Sequence, residues 1–172
     1  MIKNIFFILF FLISLTLKVN AACDDLPEDG VVYSGCAFAD SQDLSSSYLP
    51  NADMTFVSFI GVIFNKSIML NSRMDNSQFP ESSWVRSNLY ESSMQNSNFE
   101  DSDFTSANLH KVSFRGSSLL NVNFSKALMT EVDLTGANIQ GAVFDQTLLG
   151  NAIFPDGTKC AVDSVGECKK MK

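Results

Sequence analysis

Residues 102–141 read SDFTS ANLHK VSFRG SSLLN VNFSK ALMTE VDLTG ANIQG when broken every five residues. The third residue of each block is large and apolar: Phe104, Leu109, Phe114, Leu119, Phe124, Met129, Leu134 and Ile139. Working outward in both directions, the register holds from Leu44 to Phe154. That is 23 positions without a break, Trp84 among them. Two residues before each large residue sits a small one, from Ser47 to Ala152; the first, Gln42, is the exception.

A period of five is neither the 3.6 of a helix nor the two of a strand. It fits a short extended piece that turns a corner and begins again. If the large residue is i, then i−2 and i point to one side and i−1 and i+1 to the other. Position i+2 takes up the bend. Units of this kind bury a continuous core only when stacked in series.

The run resembles the pentapeptide-repeat family, whose motif is a small residue, an Asp or Asn, Leu or Phe, and two variable residues. Ala107-Asn108-Leu109-His110-Lys111, Val132-Asp133-Leu134-Thr135-Gly136 and Ala137-Asn138-Ile139-Gln140-Gly141 match it closely. The resemblance implies an all-β fold, a right-handed quadrilateral β-helix with four pentapeptides per coil and nearly six coils. Residues twenty apart then lie on top of one another. On that geometry the first side stacks Phe64, Trp84, Phe104, Phe124 and Phe144, and the second is entirely Leu and Met. At a strand spacing of about 4.8 Å the rod is roughly 25–30 Å long.

The flanks set the compartment. Lys3 followed by the 13-residue apolar run at 5–17 reads as a signal peptide over residues 1–21. The run is short for a bilayer, which needs about 20 residues. Cleavage after Ala21 is the first expectation and after Ala22 the second. An uncleaved anchor and lipidation at Cys23 are alternatives; Asn20 stands where a lipobox wants an apolar residue. Removal of the leader leaves 10 basic against 19 acidic side chains, a charge of −9. Residues 22–41 read as an N-terminal cap, with Val31-Val32-Tyr33 a short strand and Ala37-Phe38 an off-register first rung. Residues 42–154 are the helix, and residues 155–172 a C-terminal cap and tail.

Export implies an oxidising compartment. Cys23 and Cys36 bracket the entrance to the ladder, and Cys160 and Cys168 follow its exit. The economical pairing is Cys23 with Cys36 and Cys160 with Cys168, among the three connectivities that four cysteines allow. Cross-linked plugs would cover open ends that invite aggregation. Neither spacing is that of a zinc site or a Cys-x-x-Cys redox motif. No metal or cofactor is expected.

Catalytic signals are weak. His110, the one histidine, lies at an outward i+1 position. The serines from Ser67 to Ser102 repeat with the ladder, which places their hydroxyls inward against backbone. Glu100, Asp101 and Asp103 turn one corner, read as a solvated acidic edge with a small cation the minor alternative. No phosphate loop or HExxH is present. The reading is a non-enzyme.

Apolar residues at outward positions gather on the second side: Tyr48, Ile68, Leu70, Tyr90, Leu128 and Leu148. Contiguous exposed apolar surface marks a contact site, so these form a candidate face for an unknown protein partner or self-association. The expected role is an exported structural or protein-interaction module, periplasmic or extracellular, with no nucleic acid partner and no membrane insertion after cleavage. Some members of the resembled family mimic DNA and bind DNA gyrase, which makes that the alternative. The acidic charge fits it; the leader and the interrupting Lys66, Arg73, Arg86 and Arg115 do not.

Overall fold

The computed structural model of the protein describes residues 27–171. The signal peptide read over residues 1–21, its cleavage site and Cys23 lie outside those residues.

The described chain is a β-helix solenoid. Asp43 pairs in parallel with Ile63, Tyr48 with Ile68, Asp53 with Arg73 and Ser58 with Gln78. The same step of twenty recurs every five residues up to Asp133 with Ile153. Twenty residues thus make one circuit of four sides, and the paired residue is always i−1. Side 1 is the one carrying Phe64, Trp84 and Phe104. Sides 2, 3 and 4 follow in chain order with Leu89, Met94 and Phe99.

The corners explain the period. Every i+2 residue from Ser46 to Asn151 has a positive φ, between 53° and 61° where it is not glycine. That left-handed conformation disfavours an L side chain by about 1 kcal/mol. Asn holds six of the corners, at 51, 71, 76, 96, 121 and 151, and it tolerates the region best after glycine. Phe56 occupies one as well and stands 65% exposed.

Each backbone N–H has its own class of partner. The N–H of Trp84 donates forward to the carbonyl of Asp103 at 2.7 Å, and that of Arg86 to Thr105 at 3.0 Å. The N–H of Ser83 donates back to Val62 at 2.9 Å. The i+1 amide would point at solvent, and an Asp or Asn at i−1 captures it. Thr105 N–H donates to Asp103 Oδ1 at 2.8 Å, Ser125 to Asn123 at 3.0 Å and Thr135 to Asp133 at 2.9 Å. This is the physical reason for the acidic or amide residue in the motif.

The remaining amide closes the turn. In most corners it donates to the rung carbonyl three residues earlier, as Ala107 does to Phe104 at 3.0 Å. In others a serine from the next coil stands between the two. Ser92 Oγ accepts from the N–H of Ser72 at 3.1 Å and donates to the carbonyl of Met69 at 2.7 Å. Ser97 and Ser117 do the same for the turns at Met74 and Met94. Ser72, Ser92, Ser97 and Ser117 are buried. The inward serines are therefore ladder components, as their spacing suggested.

The core is sorted by side. Phe64 and Trp84 stack at 4.6 Å, Trp84 and Phe104 at 5.4 Å, and Phe104 and Phe124 at 5.5 Å. Side 4 builds a second column, with Phe59 on Phe79 at 5.9 Å and Phe79 on Phe99 at 5.4 Å. The columns meet edge to face, as Phe79 does Trp84 at 5.4 Å, an arrangement the ring quadrupoles favour. Trp84 Nε1–H donates to Ser82 Oγ at 2.6 Å.

The ends depart from the twenty-residue step. Val32 pairs with Asp53 and Ala37 with Ser58, a step of 21. Phe38 lies flat on Phe59 at 3.9 Å. The region read as a cap thus already contains rungs, displaced by one inserted residue before Leu44. At the other end the chain reverses. Ile153 pairs antiparallel with Lys159 and Leu148 with Val165, laying the tail over part of the last coil.

Ser92→Ala leaves the Ser72 amide and the Met69 carbonyl without their hydroxyl. Urea unfolding is expected to show a loss of about 1–3 kcal/mol. Ser106→Ala at an exposed corner is expected to stay within about 0.5 kcal/mol of the parent.

Candidate functional site

Because the interior is filled with side chains, any function resides on the outer faces, and residues twenty apart form vertical columns there. The i−1 column of side 2 runs Tyr48, Ile68, Asn88, Asn108, Leu128, Leu148, each paired to the next. The structure brings Tyr48 against Ile68 and Leu128 against Leu148. It also places between them two asparagines, with Asn108 Nδ2 donating to Asn88 Oδ1 at 3.0 Å. The candidate face is thus two apolar patches rather than one. Tyr48 and Leu148 are well exposed, at 56% and 45%, and Ile68 less so at 39%. Leu70, Tyr90 and Leu128 are half-buried.

Exposed apolar residues are not confined to side 2. Phe56, Ile60 and Val143 stand out on other faces, and Val162 and Val165 on the tail. Val165 extends the upper patch of side 2, since it pairs with Leu148. A sequence signal for Phe56 existed: it is an aromatic at i+2, where the corner turns its side chain outward.

Tyr90 and His110 are stacked at 5.5 Å, one rung apart, and His110 Nδ1 meets Thr130 Oγ1 at 2.5 Å. At the adjoining corner Lys111 Nζ pairs with Glu91 at 3.0 Å and lies 5.8 Å from the centre of the Tyr90 ring. Hydrogen bonds from Lys111 and then Tyr90 hold the Glu91 carboxyl below its ordinary range, and Glu91 raises the Lys111 ammonium in turn. His110 is therefore tied into a column of neighbours, between the Tyr90 ring and the Thr130 hydroxyl. On side 3, burial works to raise Asp133, but hydrogen bonds from Thr135 and Arg115 outweigh it and the carboxyl is lowered. The Arg115 pair measures 2.8 Å.

The trio Glu100, Asp101 and Asp103 does not converge. Asp103 Oδ1 accepts from the amide and hydroxyl of Thr105, and Asp101 accepts from Asn121 Nδ2 at 3.0 Å. Among the described residues no three His, Cys, Asp or Glu side chains come together as a metal site would require. A shallow depression beside the tail is lined by Phe154, Asp156, Thr158, Cys168 and Lys170.

Cys160 and Cys168 form a disulfide with their Cα atoms 5.0 Å apart. Cys160 is fully buried, and Cys168 packs against the core. The bond staples the tail where it crosses the last coil. Cys36 is buried and disulfide-bonded; its expected partner, Cys23, lies outside the described residues.

The repeat carries the family. The family described as Pentapeptide repeats (8 copies) matches residues 85–119, 107–146 and 117–154. Residues 85–154 are pentapeptide repeats. One solved structure agrees in fold at a TM-score above 0.5. Full-length QnrB1, a plasmid-mediated fluoroquinolone resistance protein, is 18% identical with a TM-score of 0.51, covering 77% of this chain and 70% of its own. Rfr23, from the cyanobacterium Cyanothece 51142, is 19% identical with a TM-score of 0.41 and 65% of this chain covered. The match spans 63% of that protein's length. A pentapeptide repeat protein of the Arabidopsis thaliana thylakoid lumen is 21% identical with a TM-score of 0.31, covering 62% of this chain and 80% of its own. A comparison with curated proteins finds no match.

Opening the staple with Cys160→Ser and Cys168→Ser together is expected to lower stability by about 2–4 kcal/mol. Chemical denaturation of the oxidised parent and the double variant reads that difference directly.

Proposed function

We propose that this protein is an exported, non-enzymatic structural or protein-interaction module, a right-handed quadrilateral rod of nearly six coils. The observation that carries the reading is the state of its polar side chains. Asp103, Asn123 and Asp133 are occupied in capping their own turns. The buried hydroxyls of Ser92, Ser97 and Ser117 are occupied in bridging coils. Catalysis needs a nucleophile, a base and a polarising group free to meet a substrate, and these groups are spent on the scaffold. The rigid outer columns are what such a molecule has to offer a partner. The patch of Tyr48, Ile68 and Leu70 at one end of side 2, and that of Leu128 and Leu148 at the other, are the contact surfaces we assign. The Cys160–Cys168 staple supports an oxidising compartment.

A second reading, DNA mimicry toward an enzyme such as gyrase, is supported by the formal charge of −7. Three cations on one corner, Lys66, Arg86 and Lys126, count against an unbroken acidic stripe.

Intact mass from a secreting bacterial host, with and without reduction and thiol blocking, separates the two readings. Loss of 21 or 22 residues with all four cysteines oxidised is expected; a full-length mass with free thiols would return the protein to the cytoplasm and revive the mimic. For the contact surface, Ile68→Asp with Leu70→Asp is expected to abolish capture of proteins bound by the parent. It should leave the circular dichroism spectrum unchanged. Undiminished capture would make side 2 ordinary surface.

A further inference from the structure

The six cations of the ladder divide into two groups. Arg73 pairs with Asp53, Lys111 with Glu91 and Arg115 with Asp133. Lys66, Arg86 and Lys126 form no ion pair among the described residues, and all three lie in the single corner column that ends side 1. The corner that begins side 1 carries Glu81 and Asp101, with Glu100 next to them, and none of these pairs with a cation among the described residues. Side 1 is therefore a flat face with an acidic line along one edge and a basic line along the other. All five corner side chains, Lys66, Glu81, Arg86, Asp101 and Lys126, are exposed.

The strip between the lines mixes apolar side chains, Ile63, Val85 and the exposed Val143, with polar ones that are already satisfied. Asn65 Oδ1 accepts from the hydroxyl of Ser83 at 2.7 Å and the amide of Val85 at 2.8 Å. Asp103 is held by Thr105. Asn123 donates to Thr105 Oγ1 at 3.0 Å and accepts from Ser125. Covering this strip strands few polar groups, which removes the largest penalty for burying polar surface.

We propose that side 1 is the face through which two copies of this chain associate side by side, with parallel rods, about a twofold axis running along the rod. The charge pattern selects that axis. A twofold along the rod exchanges the two edges while keeping each rung at its height, so acid meets base. A twofold across the face would keep each edge in place and set acid on acid. In the parallel arrangement Glu81 of one copy faces Arg86 of the other, because both belong to the Trp84 rung, and the contact occurs twice by symmetry. Asp101, one rung higher, falls between Arg86 and Lys126 of the other copy, and Lys66 lies one rung below Glu81. The two lines interleave.

The face is small. About 25–30 Å of rod by roughly 10 Å of side stays below the ~800 Å² per partner of a standard interface. The dimer is consequently weak and, with its exposed charges, sensitive to salt. The apolar patches of side 2 take no part in it.

Sedimentation equilibrium of protein expressed from the full coding sequence tests this. Association at about 0.1 mM protein in low salt, lost near 0.5 M salt, is expected. Arg86→Glu and Glu81→Arg should each weaken it about tenfold or more, since each turns two attractions into repulsions. The double variant Glu81→Arg with Arg86→Glu should restore the parent's constant to within about threefold. Ile68→Asp should leave association unchanged, which separates this dimer from the side 2 reading. A parent that stays monomeric at about 1 mM in low salt overturns the proposal. So do single variants that associate like the parent, or a double variant as weak as the singles.

Discussion

A left-handed residue at every fifth position is the constraint on which this molecule rests. Only that conformation returns the chain to the same inward-facing start after each short side, and it runs against the intrinsic preference of most residues placed there. Lys66, Glu81, Arg86 and Lys126 all adopt it. What holds them is the hydrogen bonding on either side of each corner: the ladder bonds between coils, the carboxylate or amide at i−1 that captures the i+1 amide, and the direct or serine-bridged closure of the turn. The apolar residue at i then supplies the burial that makes the arrangement favourable.

The serine bridges bind neighbouring coils as well as single turns. Ser77, Ser97 and Ser117 form a continuous vertical line in one corner, each hydroxyl serving the amide and carbonyl of the coil before it. Local turn geometry and long-range stacking are thus one interaction here. The same economy appears in the aromatic columns, where Trp84 both stacks between Phe64 and Phe104 and donates to Ser82. Stacking at one rung height fixes the rings of sides 1 and 4 in register, so adjacent coils have little freedom to slide.

A scaffold built this way leaves its outer columns free to vary, because folding is settled inside and at the corners. Two such columns flank side 1 with opposite charge, and two apolar patches divide side 2. Both are properties of vertical neighbours twenty residues apart. The tail adds a different element: by reversing direction and pairing with Leu148 and Ile153 it closes part of an edge that another chain could otherwise join.

The sequence by itself determined the solenoid. A five-residue period sustained from Leu44 to Phe154 admits no helix or ordinary strand, and the sorting of aromatic residues at twenty-residue intervals matches the observed pairing. The inward role of the serines was legible for the same reason, since an element repeated with the rung must share its environment. The tertiary structure alone decided which hydroxyl bridges which turn, because Ser67 and Ser92 look alike in sequence but bond to different coils. The off-register rung at Ala37-Phe38 was legible as well, and the structure seats it on Phe59; the path of the tail, whose residues follow no period, was decided by the tertiary structure. The place of Asn88 and Asn108 within the side 2 column was legible from the twenty-residue step, but their mutual hydrogen bond and the exposure of the side chains around them needed the structure. So did the separation of paired from unpaired cations, for ion pairs depend on where long side chains reach in space, and a period specifies only where they start.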